Sequence, residues 1–352
     1  NHRLVRPGKG NSRIIMRDSS NKYYNKLRQT DWKKVWKKGC RRFAAICMMA
    51  LLVCNLSGCL EDYEDEDTSD ATGRPGSEDV SGNASGRSSI SMELGEDGAL
   101  QITRPSREVT TPMEEDGTWT IFVYMCGTDL ESESGLATMD IQEMISASTG
   151  DQVQFVVQTG GTNGWEENQI DSDQFERYCI SNGEMVLEDQ QSLGNMGDSA
   201  SLADFLKWGI ENHPAARMGL IFWNHGGGSI SGVCFDERND SDSLSLREID
   251  AALLSVYDSM TDNFEFVGFD ACLMGTIECA NILASYADYM YGSEELEPGY
   301  GWDYKTIGDF LGENPTADGA ELGTVVADSF YEACDEIGEG STATFSISDL
   351  SQ

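Results

Sequence analysis

Residues 118–125 read Thr-Trp-Thr-Ile-Phe-Val-Tyr-Met, a near-continuous run of β-branched and aromatic side chains. A strand with so little polar surface must be buried on both faces, which places it inside a mostly parallel sheet with helices covering each side. The residues downstream meet that demand. Leu136, Met139, Ile141, Met144 and Ile145 recur at helical spacing within 135–148, and 153–159 reads again as a strand. A weaker strand pair is expected at 175–180 and 184–187, followed by a helix over 199–212 and a strand over 218–223. A helix over 245–259 then leads to a strand over 264–269, with one more strand near 343–347. Strands alternating with helices in this way predict a three-layer α/β domain. No internal repeat at solenoid periods interrupts the pattern.

Ahead of residue 118 the composition changes. The chain of 352 residues carries 24 basic and 61 acidic side chains, a net charge of −37. Fourteen of the basic residues precede Cys59, where Asp18 and Asp31 are the only acids, so 10 basic face 59 acidic residues in the rest. A body this negative repels phosphate backbones, which argues against a nucleic-acid partner. It suits an exported protein, a basic substrate or bound cations.

The basic cluster Lys33, Lys34, Lys37, Lys38, Arg41 and Arg42 precedes the apolar run 43–56, the layout of a secretory signal. That run is shorter than the roughly 20 residues of a bilayer span. It ends in Leu56-Ser57-Gly58-Cys59, which resembles the bacterial lipobox. Residues 1–58 are therefore expected to be a basic region and lipoprotein signal peptide, with Met16 the natural start and the residues before it untranslated. Cys59 is the expected lipidation site, anchoring the chain to the outer face of a bacterial membrane. An uncleaved signal anchor is the alternative. Residues 59–117, rich in Glu, Asp, Ser, Gly and Thr, are expected to be a disordered acidic tether. Residues 118–352 are the folded domain.

In parallel α/β folds, reacting groups collect at the carboxyl ends of strands. Trp223-Asn224-His225-Gly226-Gly227-Gly228 follows one core strand, and Phe269-Asp270-Ala271-Cys272-Leu273-Met274 follows the next. A cysteine opening a helix beside an imidazole is a plausible nucleophile, because both neighbours favour the thiolate. Backbone amides at Gly226 and Cys272 would stabilise the oxyanion of an acyl-transfer step. The other histidines, His2 and His213, lie before the anchor and beside Pro214. Cys126, Cys179, Cys234, Cys279 and Cys334 read as packing residues, since no CxxC pairs or compact framework suggest zinc or disulfides. The His-Gly-Gly-Gly run also occurs in lipases, but no Gly-x-Ser-x-Gly elbow or later histidine follows it here.

WNHGGG together with FDACLM resembles the clostripain family of cysteine peptidases in the caspase-like clan. The likeness extends through TWTIFVYMCGTDLES, VVQTGG (156–161), NMGD (195–198), SLADFLKW and SEELEPGYGW (293–302). It implies a caspase-like three-layer α/β/α sandwich with a mostly parallel sheet, a domain continuing past residue 352, and a cysteine endopeptidase cutting after Arg or Lys. His225 and Cys272 would form the dyad, with Gly226 the oxyanion partner. Asp270 would pair the substrate's basic side chain, with Glu294 and Asp198 as weaker pocket candidates; for Asp270 the competing reading is a helix cap. The resemblance also implies self-cleavage at Arg238, with Arg247 the runner-up, giving a monomer or a nicked two-fragment form. No cofactor is required. Calcium is an optional ligand, although the acidic loop Asp236, Glu237, Asp240 and Asp242 lacks the spacing of a helix–loop–helix calcium site. A catalytically silent surface lipoprotein that uses the fold for binding is the alternative function.

Overall fold

The computed structural model describes residues 13–14, 91–94, 100–104, 117–260 and 262–351. Its strands are β1 (Arg13–Ile14), β2 (Ser91–Leu94), β3 (Leu100–Thr103), β4 (Trp119–Cys126), β5 (Val153–Gly160), β6 (Gln174–Ser181), β7 (Glu184–Ser192), β8 (Arg217–Trp223), β9 (Val233–Asp236), β10 (Asp242–Leu244), β11 (Phe264–Asp270), β12 (Ala287–Gly292) and β13 (Ser346–Asp349). The helices are α1 (Thr128–Ser132), α2 (Leu136–Ser146), α3 (Ser199–Asn212), α4 (Gly228–Ser231), α5 (Leu246–Val256), α6 (Ile277–Leu283), α7 (Tyr304–Glu313) and α8 (Gly319–Glu336).

The main sheet runs β1-β7-β6-β5-β4-β8-β11-β12-β13. From β5 to β12 every pairing is parallel, while β6, β7, β1 and β13 add antiparallel strands outside this centre. β4 shows why the run at 118–125 reads as it does. Its Ile121, Val123 and Met125 enter a core shared with α2, α7 and α8, while Phe122, Tyr124 and Cys126 enter the opposite core, shared with α3, α5 and α6. Each large apolar side chain so buried contributes roughly 1.5–3 kcal/mol. Local signals agree with the packing at the helix starts. Asp198 caps α3, and the pairs Ser245/Glu248 and Asp318/Glu321 form capping boxes on α5 and α8. The outcome is the expected α/β/α sandwich.

Within residues 59–117 the described residues include an antiparallel pair, Ser91–Leu94 with Leu100–Thr103. Met92, Leu94, Leu100 and Ile102 alternate with polar residues around Gly95 and Gly98, which is a hairpin pattern. Beyond it, the Arg104 guanidinium donates to the main-chain and side-chain oxygens of Asn281, tying this segment to α6. The lipobox, the apolar run and Cys59 lie outside the described residues.

Candidate active site

β4, β8, β11 and β12 are adjacent parallel strands, so their carboxyl ends share one edge of the sheet. The segment leaving each strand contributes one residue to a polar cluster: Asp129, His225, Cys272 and Glu297, in sheet order.

The turn after β4 is held by Gly127 N–H on the Gly160 carbonyl at 2.9 Å and Thr128 N–H on the Gly161 carbonyl at 3.1 Å. Thr128 sits at φ 45°, strained for a β-branched residue, and presents Asp129 to the neighbouring strand end. There the Asp129 carboxylate lies 2.9 Å from His225 Nε2. Burial pushes the Asp129 carboxyl up, but the hydrogen bond and charge of His225 outweigh it and hold the group below its ordinary value.

Asn224 braces the imidazole from behind. Its buried side chain donates to the Cys126 carbonyl and accepts from Phe235 N–H at 2.8 Å, and its own N–H reaches the Asp270 carbonyl at 3.3 Å. One residue, through its side chain and its own N–H, thus ties β4, β8, β9 and β11 together. The next residue but one must be glycine. A β-carbon on Gly226 would overlap the Cys272 carbonyl oxygen, so the histidine and cysteine segments are in direct contact.

Around Cys272 the chain departs from the expected helix start. Leu273 takes φ 64°, its N–H donates to Glu295 O at 3.0 Å, and Gly275 N–H donates to Ser293 O at 2.8 Å. These bonds pair the segment with the chain leaving β12, and α6 begins only at Ile277, capped by Thr276. The half-buried thiol therefore gains no helix terminus. Instead Glu297 N–H points at Cys272 Sγ from 3.2 Å, a donor that favours the thiolate.

Beside the thiol segment lies a buried cluster of carboxyls. Asp270 is buried and accepts from Trp302 N–H at 3.3 Å and the Tyr304 hydroxyl at 3.0 Å. Burial raises its carboxyl to about 6 despite those donors. Glu297 is buried too, and burial followed by the charge of Asp270 pushes its carboxyl well above the ordinary range. The two groups are close enough to shift one another, yet both Glu297 carboxyl oxygens and Trp302 Nε1 lack a hydrogen bond of ordinary geometry. Farther in, Asp140 accepts from Trp223 Nε1 at 2.6 Å and Glu143 accepts from Tyr304 N–H at 3.0 Å. None of the described ion pairs includes Asp140, Glu143, Asp270 or Glu297. Gly301, at φ 71°, packs closely against this carboxylate: a β-carbon there would lie 3.1 Å from Asp270 Oδ1.

A family model described as the clostripain family matches residues 123–352. This chain belongs to the clostripain family. Clostripain of Hathewaya histolytica is 31% identical over 135 residues, 33% of this chain, and the chain spans only about a quarter (24%) of clostripain's length. Among solved structures, a secreted C11 cysteine protease from Bacteroides thetaiotaomicron, in complex with an irreversible peptide inhibitor, superposes with a TM-score of 0.52 and 21% identity. That match covers 67% of each chain. A second structure of a secreted C11 cysteine protease from the same organism, called iotapain, gives a TM-score of 0.53 and 17% identity over 68% of this chain and 67% of its own. At these identities the likeness is one of fold, and the clostripain-family chain shares its sandwich.

Within this clostripain-family domain the residues expected from sequence divide clearly. His225, Gly226, Asp270 and Cys272 come together at one sheet edge. Asp270 caps no helix, because the helix it was to open starts at Ile277. Asp198 and Glu294 do not join the pocket. Asp198 is committed to the start of α3, accepting from Ala200 N–H at 2.9 Å, and that helix packs in the other layer. Glu294 is exposed, and Glu297, three residues on, turns inward in its place. The loop around Arg238 is not the loose polar run that its composition suggests. Buried Asp236 accepts from Met196 N–H and Arg238 N–H at 2.7 Å each, and the Arg238 side chain donates to Ser172 O at 3.1 Å and Asp173 at 3.0 Å. Arg247 is exposed in the first turn of α5. Two of the acidic-loop residues considered for calcium already accept hydrogen bonds. Asp236 is spent on those amides, and Glu237 accepts from Ser132 and Asn163. Among the described residues no cluster of three or more potential ligands is placed to hold a metal.

Sequence reasoning missed Asp129, Asn224 and Glu297. Asp129 and Glu297 stand inside the motifs CGTDLES and SEELEPGYGW, and Asn224 immediately precedes the histidine. Carboxylates and an amide at strand ends were the available signal.

Proposed function

We propose that this chain is a cysteine endopeptidase cutting after arginine or lysine. The observation that carries the reading is Glu297, whose N–H touches the Cys272 sulfur while its carboxyl lies buried beside Asp270, with neither acid in an ion pair among the described residues. Uncompensated buried carboxyls cost stability, and a guanidinium or ammonium entering the pocket would relieve that cost directly next to the thiol.

In this proposal the Cys272 thiolate attacks the carbonyl carbon after the basic residue, forming a C–S bond as the carbonyl π pair moves onto oxygen. Backbone amides of Gly226 and Cys272 receive that oxyanion. Collapse breaks the C–N bond, and His225 gives its proton to the leaving amine. Water then attacks the thioester, returning its proton to His225 and freeing the thiol. Because Asp129 occupies Nε2, the proton is exchanged at Nδ1. No step uses a metal.

The wider reading includes export, attachment through lipidated Cys59, and self-cleavage at Arg238 between the two catalytic residues. Loss of membrane association in Cys59→Ser tests the anchor. Fluorogenic peptide amides ending in Arg, Lys, Gln or Asp, with an arginine-bearing thiol-reactive probe, test the enzyme. Turnover of Arg or Lys substrates with labelling of Cys272 is expected. Equal turnover of all four overturns the specificity. Absence of both turnover and labelling in the reduced protein overturns the peptidase and leaves a binding lipoprotein.

A further inference from the structure

Among the described residues three large apolar side chains are exposed: Ile230 at 87%, Ile277 at 81% and Tyr331 at 54%. Single exposed apolar residues are ordinary on any protein surface. Two of these three, however, belong to neighbouring elements beside the proposed nucleophile. Ile230 lies in α4, on the excursion that leaves β8 through His225, and Ile277 is the first residue of α6, five positions after Cys272. The two helices pack against each other. The start of α4 abuts the cysteine segment, since a β-carbon on Gly228 would lie 3.3 Å from the Leu273 carbonyl oxygen. Both isoleucines therefore lie on segments that border the reaction centre.

Their side of the centre can also be assigned. The carboxyl cluster lies on the side of α2, α7 and α8, where Trp302 and Tyr304 are packed. The buried neighbours of α4 and α6, Val233, Met274 and Cys279, belong to the opposite core. A general acid must stand beside the amine it protonates. The segment carrying His225, and with it Ile230, thus flanks the leaving half of the peptide.

The geometry points to Ile230 and Ile277 as a subsite for an apolar side chain among the first three substrate residues after the scissile bond. This rests on the peptidase reading above. Three extended residues reach about 10 Å, which bounds how far from the thiol such a side chain can be placed. Burying it against the two isoleucines would give selectivity on the order of tenfold for leucine or phenylalanine over glycine.

Internally quenched peptides with arginine before the bond and Gly, Leu, Phe or Asp at each of the next three positions test it. Rates are taken relative to an arginine coumarin amide, which has no residue on that side. The wild type is expected to prefer Leu or Phe at one position by about tenfold, and the double variant Ile230→Ser with Ile277→Ser to bring that ratio close to one through KM. An unchanged ratio in the variant overturns the inference. So does a wild-type dimer that the variant converts to monomer, because the patch would then be an interface between copies. If the wild type leaves the coumarin amide intact and the arginine probe does not label Cys272, the peptidase reading itself falls and takes this inference with it. Labelling without peptide selectivity overturns the subsite alone.

Discussion

Asp129 and His225, 96 positions apart in the chain, meet at 2.9 Å because β4 and β8 are parallel neighbours and each ends just before one of them. A carboxylate on Nε2 fixes the ring tautomer and steadies the imidazolium formed as the thiol loses its proton. Asp129→Asn is expected to lower kcat by about 10²–10⁴-fold with KM little changed, and Asp129→Glu to recover part of it. Steady-state kinetics on an arginine peptide would show this, and a fall confined to KM would contradict it.

Cys272→Ala should abolish amide hydrolysis and shift stability by no more than about 1 kcal/mol, because a half-buried thiol is exchanged for a small side chain. His225→Ala should be inactive as well. Turnover assays with thermal melts of both variants check these outcomes, and undiminished hydrolysis in Cys272→Ala would sink the mechanism.

A third expectation concerns charge in the pocket. Burial holds the Asp270 carboxyl at about 6, and burial with the charge of Asp270 raises Glu297, so both acids ionise less readily than solvated carboxyls. A bound guanidinium favours the doubly ionised pair. For arginine peptides kcat/KM should therefore rise with pH through about 6, and a peptide with a neutral residue at that position should lack this limb. Asp270→Asn should cost arginine substrates about 10–100-fold, the scale of one lost charged hydrogen bond. Identical pH profiles for charged and neutral peptides would contradict the assignment.

Much of this architecture was legible, and the limits were physical. Trp119–Cys126 could be read because a strand buried on both faces leaves an unmistakable composition, and Ser199–Asn212 because Leu202, Phe205, Leu206 and Ile210 recur at helical spacing, whereas Asp198, read as a pocket candidate, proves to be its cap. The role of Asp129 could not be read, since it depends on β8 lying beside β4, a fact of sheet order. Glu294 and Glu297 are alike in sequence, and only the backbone bonds from Leu273 and Gly275 to 293–295 decide which carboxyl turns inward. The same bonds divert the chain after Cys272 from the helix that its composition suggests.

Stability should fall as pH rises. Burial, followed by the charge of Asp303, lifts Glu143 to about 8, and burial raises Asp140, Asp270 and Glu297. An acid with a raised folded-state pKa contributes stability that is complete below its unfolded value and lost as pH passes its folded value. The melting temperature should therefore decline from pH 5 to 9. Glu143→Gln should flatten that decline while keeping the acceptor for Tyr304 N–H. Parallel Tm curves for variant and wild type would show that Glu143 ionises normally.

The proposed self-cleavage at Arg238 would require the segment between β9 and β10 to release its guanidinium from Asp173 and Ser172. Asp173→Ala removes an exposed ion pair worth at most about 1 kcal/mol and should speed the cut no more than about fivefold. Arg238→Ala should leave a single chain. Intact-mass spectra over time would follow both, and equal fragments from Cys272→Ala would assign the cut to another protease.

Because Asp129, His225, Cys272 and Glu297 leave four different strands, no short stretch of this polypeptide contains a working centre. A nascent chain, or one threaded unfolded through a translocation channel, carries a cysteine of ordinary reactivity and a solvated imidazole. The proposed hydrolytic power is created only when β4, β8, β11 and β12 close side by side. The cell that makes such a protein is thus shielded from it during synthesis by topology, before any inhibitor or processing step is needed.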